Sequence, residues 1–277
     1  MKKTDGLTLV ELIIAAFILG LLLLLIGSGL QSSSKAVGLV MGETELLEDI
    51  RASGQMITDE LSRAVYVYPP GTPLSLNSSD SATVINPNTG DNTWTVGTDP
   101  ILAFVQGPDD PLKECSSSNE ACIYFVAYYA MQRSGFVSSL VPEDKAIIQD
   151  DAHEDSWVLL EYRKKLSENR LAANTPPPTS SSSLLALKQS EGHLVADYLV
   201  AGSGFTAFSG TTHTCRSRQS EEAQTCNGLD TSTVDYRETA LSGEFQLQAS
   251  QTRGSTTTTT PVLTFPIAPR AIYSFKE

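Results

Sequence analysis

The chain changes its pattern of apolar and polar positions twice. From Leu7 to Leu30 it is almost wholly apolar, and residues 12–34 carry no charge. A helix rises 1.5 Å per residue and bilayer hydrocarbon is about 30 Å thick, so roughly 20 apolar residues span it. Leucine and isoleucine dominate the run, and lipid accepts these most readily. The pattern predicts a membrane helix over residues 7–30. Beyond Lys35 the apolar positions thin out but keep a helical period: Val37, Val40, Leu47, Ile50, Ile57, Leu61, Ala64 and Tyr68 are separated by threes, fours and their sums. Glu43, Glu45, Glu48, Asp49, Arg51, Asp59, Glu60 and Arg63 occupy much of the remainder. That is one buried stripe on a helix with a solvated back. The helix is therefore expected to continue amphipathically through residues 31–68, until Pro69-Pro70-Gly71 stops it. From Leu7 to Val65 is 59 residues, about 90 Å if unbroken. Gly27-Ser28-Gly29 is either a weak spot in this helix or a point of close helix–helix approach.

After Pro73 the period shortens to two, in short β-rich runs separated by turn residues. Thr83–Ile85 and Thr93–Val96 flank Asn86-Pro-Asn-Thr-Gly-Asp-Asn92 as a hairpin, and Ile101–Val105 and Ile123–Tyr129 flank the first two cysteines. Trp157–Lys164 and His193–Val200 read as longer strands, and Phe245–Ala249, Val262–Ile267 and Arg270–Phe275 close the sheet. No stretch after residue 65 shows helical periodicity beyond short turns. The expected architecture is α+β, an antiparallel sheet laid on the long helix, with residues 69–277 forming the β-rich domain. Thr175-Pro-Pro-Pro-Thr-Ser-Ser-Ser-Ser183 and Ser255-Thr-Thr-Thr-Thr-Thr-Pro261 have no apolar side chains to bury and read as exposed loops. Their hydroxyls, and the Asn77-Ser-Ser sequon, are open to glycosylation.

Charge and cysteine content add a compartment. The 277 residues sum to −13; removing Lys2, Lys3 and Asp5, a net +1, leaves −14. Such a surface repels phosphate and anionic lipid, which disfavours direct nucleic-acid binding. Lys2 and Lys3 tend to stay cytoplasmic, which puts everything after Leu30 outside, where disulfides are permitted. Four cysteines allow three connectivities. The short loops favour Cys115 with Cys122 and Cys215 with Cys226, each bridge contributing roughly 2–4 kcal/mol.

The start of the chain carries the most specific signal. The flank before the apolar run is six residues long, ends in Gly6, and is followed at Glu11 by a carboxylate at the mouth of the run. No A-x-A cleavage site follows the apolar segment, as a secretory signal peptide requires. An ionisable group in the bilayer centre costs on the order of 2.5–3.5 kcal/mol on insertion scales and normally marks a partnered position. Gly6-Leu7-Thr8-Leu9-Val10-Glu11, with the apolar run behind it, resembles the class III signal of type IV prepilins and type II secretion pseudopilins. The resemblance implies a leader over residues 1–6, which a prepilin peptidase removes after Gly6 before methylating Leu7. It makes Glu11 the assembly carboxylate, paired in the membrane with the terminal amine of a neighbouring pilin subunit. It also implies a pilin-like fold, a single-pass inner-membrane protein with its C-terminal domain outside the cytoplasm, and an inner-membrane assembly platform as partner. Leu7 stands where the family usually has phenylalanine, and Asp5 is acidic in a leader that is usually basic; neither removes an essential group.

A looser resemblance extends further. Met56-Ile-Thr-Asp-Glu-Leu-Ser-Arg-Ala64, Trp157-Val-Leu-Leu-Glu-Tyr-Arg163, Leu194-Val-Ala-Asp-Tyr-Leu-Val, Phe205-Thr-Ala-Phe208 and the segment from Arg270 are similar to PilW-type minor pilins and the J-type minor pseudopilin. This implies a minor subunit at the tip or in initiation of a fibre serving motility, adhesion, DNA uptake or secretion.

Other candidate chemistry is weak. Gly202-Ser-Gly204-Phe-Thr-Ala207 matches G-x-G-x-x-A, but Phe208-Ser-Gly-Thr-Thr shows no helical period, as a dinucleotide loop needs. His213 with Cys215 and Cys226 falls one short of the four ligands of a structural zinc site, and exported thiols are normally oxidised. Asp150, Asp151, Glu154 and Asp155 offer oxygens to calcium but lack the glycine and distal glutamate of an EF-hand. His153 and His193 have no nucleophile or paired carboxylate at a recognisable spacing. The reading is a filament subunit without catalytic residues, metal or cofactor. The alternative from another class is a non-polymerising, lectin-like or adhesive envelope protein on a single-pass anchor.

Overall fold

The structure is a computed structural model and describes residues 9–68, 70–76, 84–106, 123–139, 153–166, 192–202, 204–208, 214–215, 224–225, 243–253 and 256–268. The chain divides into two compact units, residues 1–45 and 46–277. Helix α1, Leu9–Ser62, supplies all that is described of the first unit and opens the second.

The second unit is built on a five-stranded antiparallel sheet. Its strands are β1 (Ala64–Val67), β4 (Ile101–Gln106), β5 (Ile123–Gln132), β6 (Trp157–Leu166) and β7 (His193–Leu199), in the order β1-β4-β5-β6-β7. The central strands are apolar on both faces, as sequences such as Ile-Leu-Ala-Phe-Val require. Ile101, Ala103, Val105, Phe125, Ala127, Tyr129, Val158, Leu160 and Tyr162 belong to one core. Covering it are Tyr66 and Tyr68, Leu74 of β2 (Pro73–Ser75), Trp94 of β3 (Thr93–Thr95), Val96, and Phe136 and Val137 of helix α2 (Arg133–Ser139). Leu102, Phe104, Val126, Tyr128, Ala130 and Leu159 point the other way, into a second core with Leu46, Ile50, Ile57 and Leu61 of α1. A small antiparallel sheet joins that core: β8 (Phe205–Ala207), β11 (Gly243–Leu247) and β14 (Leu263–Ile267), in the order β14-β11-β8. Two further hairpins complete the described strands, β9 (Thr214–Cys215) with β10 (Gln224–Thr225), and β12 (Ser250–Arg253) with β13 (Thr256–Thr259).

The mixed α+β class, with antiparallel sheets and an N-terminal helix, is as expected. Several details differ. The helix does not run to residue 68: α1 ends at Ser62, and residues 64–67 form β1. Ala-Val-Tyr-Val-Tyr favours the pleated surface through its β-branched and aromatic side chains. Val67 enters the α1 core while Tyr66 and Tyr68 enter the other, a period of two rather than 3.6. Ala64 and Tyr68 fit a helical spacing only by coincidence. The helical stripe also begins later, since Val37 and Val40 are 52 % and 63 % exposed. Leu46 is buried where Leu47 is only half-buried, and Ser53 and Gly54 lie in the stripe.

Residues 93–95 pair with 73–75 and not with 83–85. The Trp94 Nε1–H donates to the Val84 carbonyl at 3.0 Å, so a side chain takes the place of a ladder there. Helix α2 is short and glycine-containing, with too few positions for a period to show. Residues 270–275 lie outside the described residues.

Candidate functional site

The segment from Gly6 to Glu11 enters the structure only in part. Gly6 and Leu7 lie outside the described residues; Glu11 is the third residue of α1, and its side chain is likewise outside them. Around that position the helix is apolar on every side. Twelve large apolar residues between Leu9 and Ile26 are 47–76 % exposed, including the consecutive runs Leu12–Ile14 and Leu21–Leu24. A helix apolar around its whole circumference belongs inside a protein or a bilayer, not at a water interface. Among the described residues no helix is long and apolar enough to cross a membrane, the side chains at 10, 11, 15, 25 and 27–36 not being among them. From Leu9 to Gly27 the sequence holds only apolar residues and glycine apart from Glu11, and polar residues enter at Ser28 and from Gln31 to Lys35.

Two polar clusters stand out in the second unit. At the end of α1, Glu60 accepts a hydrogen bond from the Tyr128 hydroxyl at 2.7 Å and pairs through its other oxygen with Arg163. Arg163 also donates to Glu161 at 2.6 Å and to the Gln106 side-chain Oε1 at 3.0 Å. Burial works against the Arg163 charge, but the Glu161 hydrogen bond and the Glu60 and Glu161 charges outweigh it and hold the guanidinium protonated. Burial, and then the charges of Glu60 and Glu161, push the Tyr128 hydroxyl far above its ordinary range. It remains a donor through the neutral range.

The second cluster lies where α2 meets β7. Arg133, buried at the start of α2, reaches both carboxylate oxygens of Asp197 at 3.0 and 3.1 Å. Tyr198 follows with φ at 59°, left-handed for an aromatic residue. Such a conformation costs on the order of 1–3 kcal/mol and persists only where the surroundings impose it. Here the Asp197 carboxylate accepts the Tyr198 N–H at 2.7 Å, the Arg133 guanidinium lies 5.4 Å from the ring and the His153 imidazole 5.0 Å from it. Sequence reading finds neither cluster. Each joins residues about 60 to 100 positions apart, and no local spacing reports that.

The remaining candidates place as follows. The Gly202–Ala207 run passes through a turn with Gly202 at φ 69° and becomes strand β8, not a helix. Glu154 and Asp155 are exposed in the turn before β6, and Asp150 and Asp151 lie outside the described residues. His193 is exposed on β7, at the edge of the five-stranded sheet. The β9–β10 ladder sets Cys215 opposite Gln224, two residues short of Cys226. Cys115, Cys122, His213 and Cys226 lie outside the described residues.

Residues 1–27 match the family model of the prokaryotic N-terminal methylation motif. No curated protein and no solved structure is detectably similar to the chain.

Proposed function

We propose that the chain is a minor pilin or pseudopilin, cleaved after Gly6, methylated on Leu7, anchored through residues 7–30 and assembled through Glu11. The observation that carries the reading is the methylation motif over residues 1–27, running into a helix whose apolar side chains are exposed on all sides. That surface needs lipid before assembly and sister helices after it. An unpaired Glu11 is disfavoured in hydrocarbon, and the amine created by cleavage on a second subunit neutralises it, which supplies a driving force for polymerisation. Processing by a prepilin peptidase and association with other pilin-type subunits follow from the same motif. The β-rich unit, with no catalytic constellation in the sequence, reads as a bulky structural head that favours the tip or sparse positions of a fibre. The PilW-type likeness and the two local disulfides belong to this proposal.

Intact mass of the purified native protein tests it. The expected product lacks Met1 to Gly6, carries one added methyl group, and is four hydrogens lighter than its reduced form. A product that keeps its leader removes the processing step. Glu11→Ala separates assembly from anchoring. At equal membrane levels a filament subunit fails to incorporate, whereas the non-polymerising envelope protein is indifferent.

A further inference from the structure

His153 sits in the turn before β6, where its own carbonyl accepts the Ser156 N–H at 3.0 Å and the Ser156 hydroxyl at 2.7 Å. Its ring points across to β12. The Thr252 backbone N–H donates to His153 Nε2 at 2.9 Å. An amide N–H has only a proton to offer, so Nε2 must present a lone pair, and the ring is the neutral tautomer with its proton on Nδ1. Protonating Nε2 sets a donor against a donor. The bond is lost, and the Thr252 amide loses its acceptor.

What this bond holds is a separate piece of the fold. β12 pairs with β13 alone among the described strands, as a two-stranded sheet. The hairpin carries hydroxyl pairs across its ladder, Ser250 with Thr259 and Thr252 with Thr257, each at 2.9 Å. Thr256, Thr257 and Thr259 are exposed. Its base is tied by Ala249, which bridges to Leu199 and exchanges hydrogen bonds with Thr260. Further out along β12, the His153 side chain fastens the hairpin at Thr252 to the turn before β6.

We propose that His153 is an acid-sensitive pin: neutral, it docks the threonine hairpin β12–β13 against the turn before β6, and protonated, it releases it. The charged groups around the ring among the described side chains are Glu154 and Asp155, next to it in its own turn, and the Arg133–Asp197 pair, whose guanidinium lies over the Tyr198 ring that His153 meets edge-on. The direction of release follows from the hydrogen bond itself, because a protonated Nε2 cannot accept the Thr252 N–H.

The test is amide hydrogen exchange on the full chain in detergent micelles at pH 7.5 and 5.5, corrected for the intrinsic pH dependence of exchange. Exchange at Thr252 and across 250–259 is expected to rise about three- to ten-fold at the lower pH, the net worth of one hydrogen bond, while β5 is unchanged. In His153→Gln, whose side chain does not titrate, the pH dependence of the hairpin should vanish. An equal rise in that variant, or none in the native chain, overturns the proposal. Should the variant disturb β5, an NMR titration of the native chain decides: the Thr252 amide shift must follow the His153 ring through its transition, and an amide that does not follow it sinks the idea.

Discussion

At Gly54 the helix has no room for a side chain. A Cβ built there would run into the end of the Phe265 ring on β14, so β14 comes close to α1 at this position. Next to it, the Ser53 hydroxyl donates to the Val195 carbonyl at 3.1 Å and to Asp49 one turn back. Two small residues therefore sit where the apolar stripe predicts large ones, and a hydrophobicity pattern passes over them. Ile50, Ile57 and Leu61 are legible because burial against a sheet demands bulk at those spacings; Ser53 and Gly54 are not, because what they supply is closeness. Gly54→Ala gains roughly 1 kcal/mol of helix propensity. It should nonetheless destabilise the second unit by about 1–3 kcal/mol, the usual cost of overpacking, seen as a lower denaturant midpoint. Phe265→Leu in the same chain should return part of the loss. Lys164 makes the complementary case. It is 1 % exposed, and burial alone pushes its amine below the ordinary lysine range. The folded chain thus binds that proton more weakly than the unfolded chain, whose lysines titrate near about 10.4. Where both states hold the proton, the fold bears the whole cost of burying it. As pH rises towards that unfolded value the unfolded chain holds more protons, so stability rises. Lys164→Met should raise the denaturant midpoint at pH 7 and flatten its increase between pH 7 and 9.5. Above about pH 10 the raised Tyr68 and Tyr128 hydroxyls act with the opposite sign, which sets the upper limit of the comparison.

The ends of the elements are where sequence and structure part. Pro69-Pro70-Gly71 is a strong stop signal, yet α1 ends seven residues before it, at Ser62, because β1 gains a sheet partner. Ala64–Val67 pairs with Phe104–Gln106 of β4 across a bulge, and an edge strand buried on both faces outweighs two more turns of helix. The partner is nearly 40 residues away in the chain, so local propensity carries no sign of it. The last turn of α1 contains no basic residue and holds Asp59 and Glu60, carboxylates at the negative end of the helix dipole. Arg163 and Tyr128 offset this by gripping Glu60 from the sheet. The latch is part of the element's design: it fixes the helix end against β5 and β6, where propensity and dipole are both unfavourable. Tyr128→Phe removes one donor and leaves the arginine pair, so the expected loss is about 1.5–3 kcal/mol, typical of a hydrogen bond to a charged group. Since the hydroxyl stays protonated throughout, the loss should be the same at pH 6 and pH 9. Urea unfolding at the two values checks this, and a pH-dependent difference would mean that Tyr128 ionises in the fold.

At the scale of the molecule the chain is two solutions to the problem of covering apolar surface. The second unit covers its own: both cores draw only on residues from Leu46 onward, and the strands supply both faces of the five-stranded sheet. The first unit leaves its apolar side chains open to whatever surrounds it. This division is legible in the sequence because charge is absent from residues 12–34 and returns with Lys35 and the acidic residues after it. The methylation motif is legible for a different reason, since it is a short linear segment within residues 1–27 and does not depend on pairings between distant strands. The arrangement of the β-rich unit is not legible to the same degree; its sheet order and its polar clusters are set by pairings between distant strands. If the division is physical, the two units should separate. A chain beginning at Leu46 keeps Leu46, Ile50, Gly54, Ile57, Leu61 and the Glu60 latch, and loses no member of either core. It should melt within a few degrees of the full chain and no longer need detergent. A chain beginning at Thr58 discards Leu46, Ile50 and Ile57, large buried side chains whose individual truncation costs about 2–5 kcal/mol. Their joint loss is comparable to the 5–15 kcal/mol that keeps a domain folded, so this shorter chain should not fold. Circular dichroism melts of the two truncations decide the point. Equal stability would show that α1 beyond Leu46 is attached to the sheet without being part of its core.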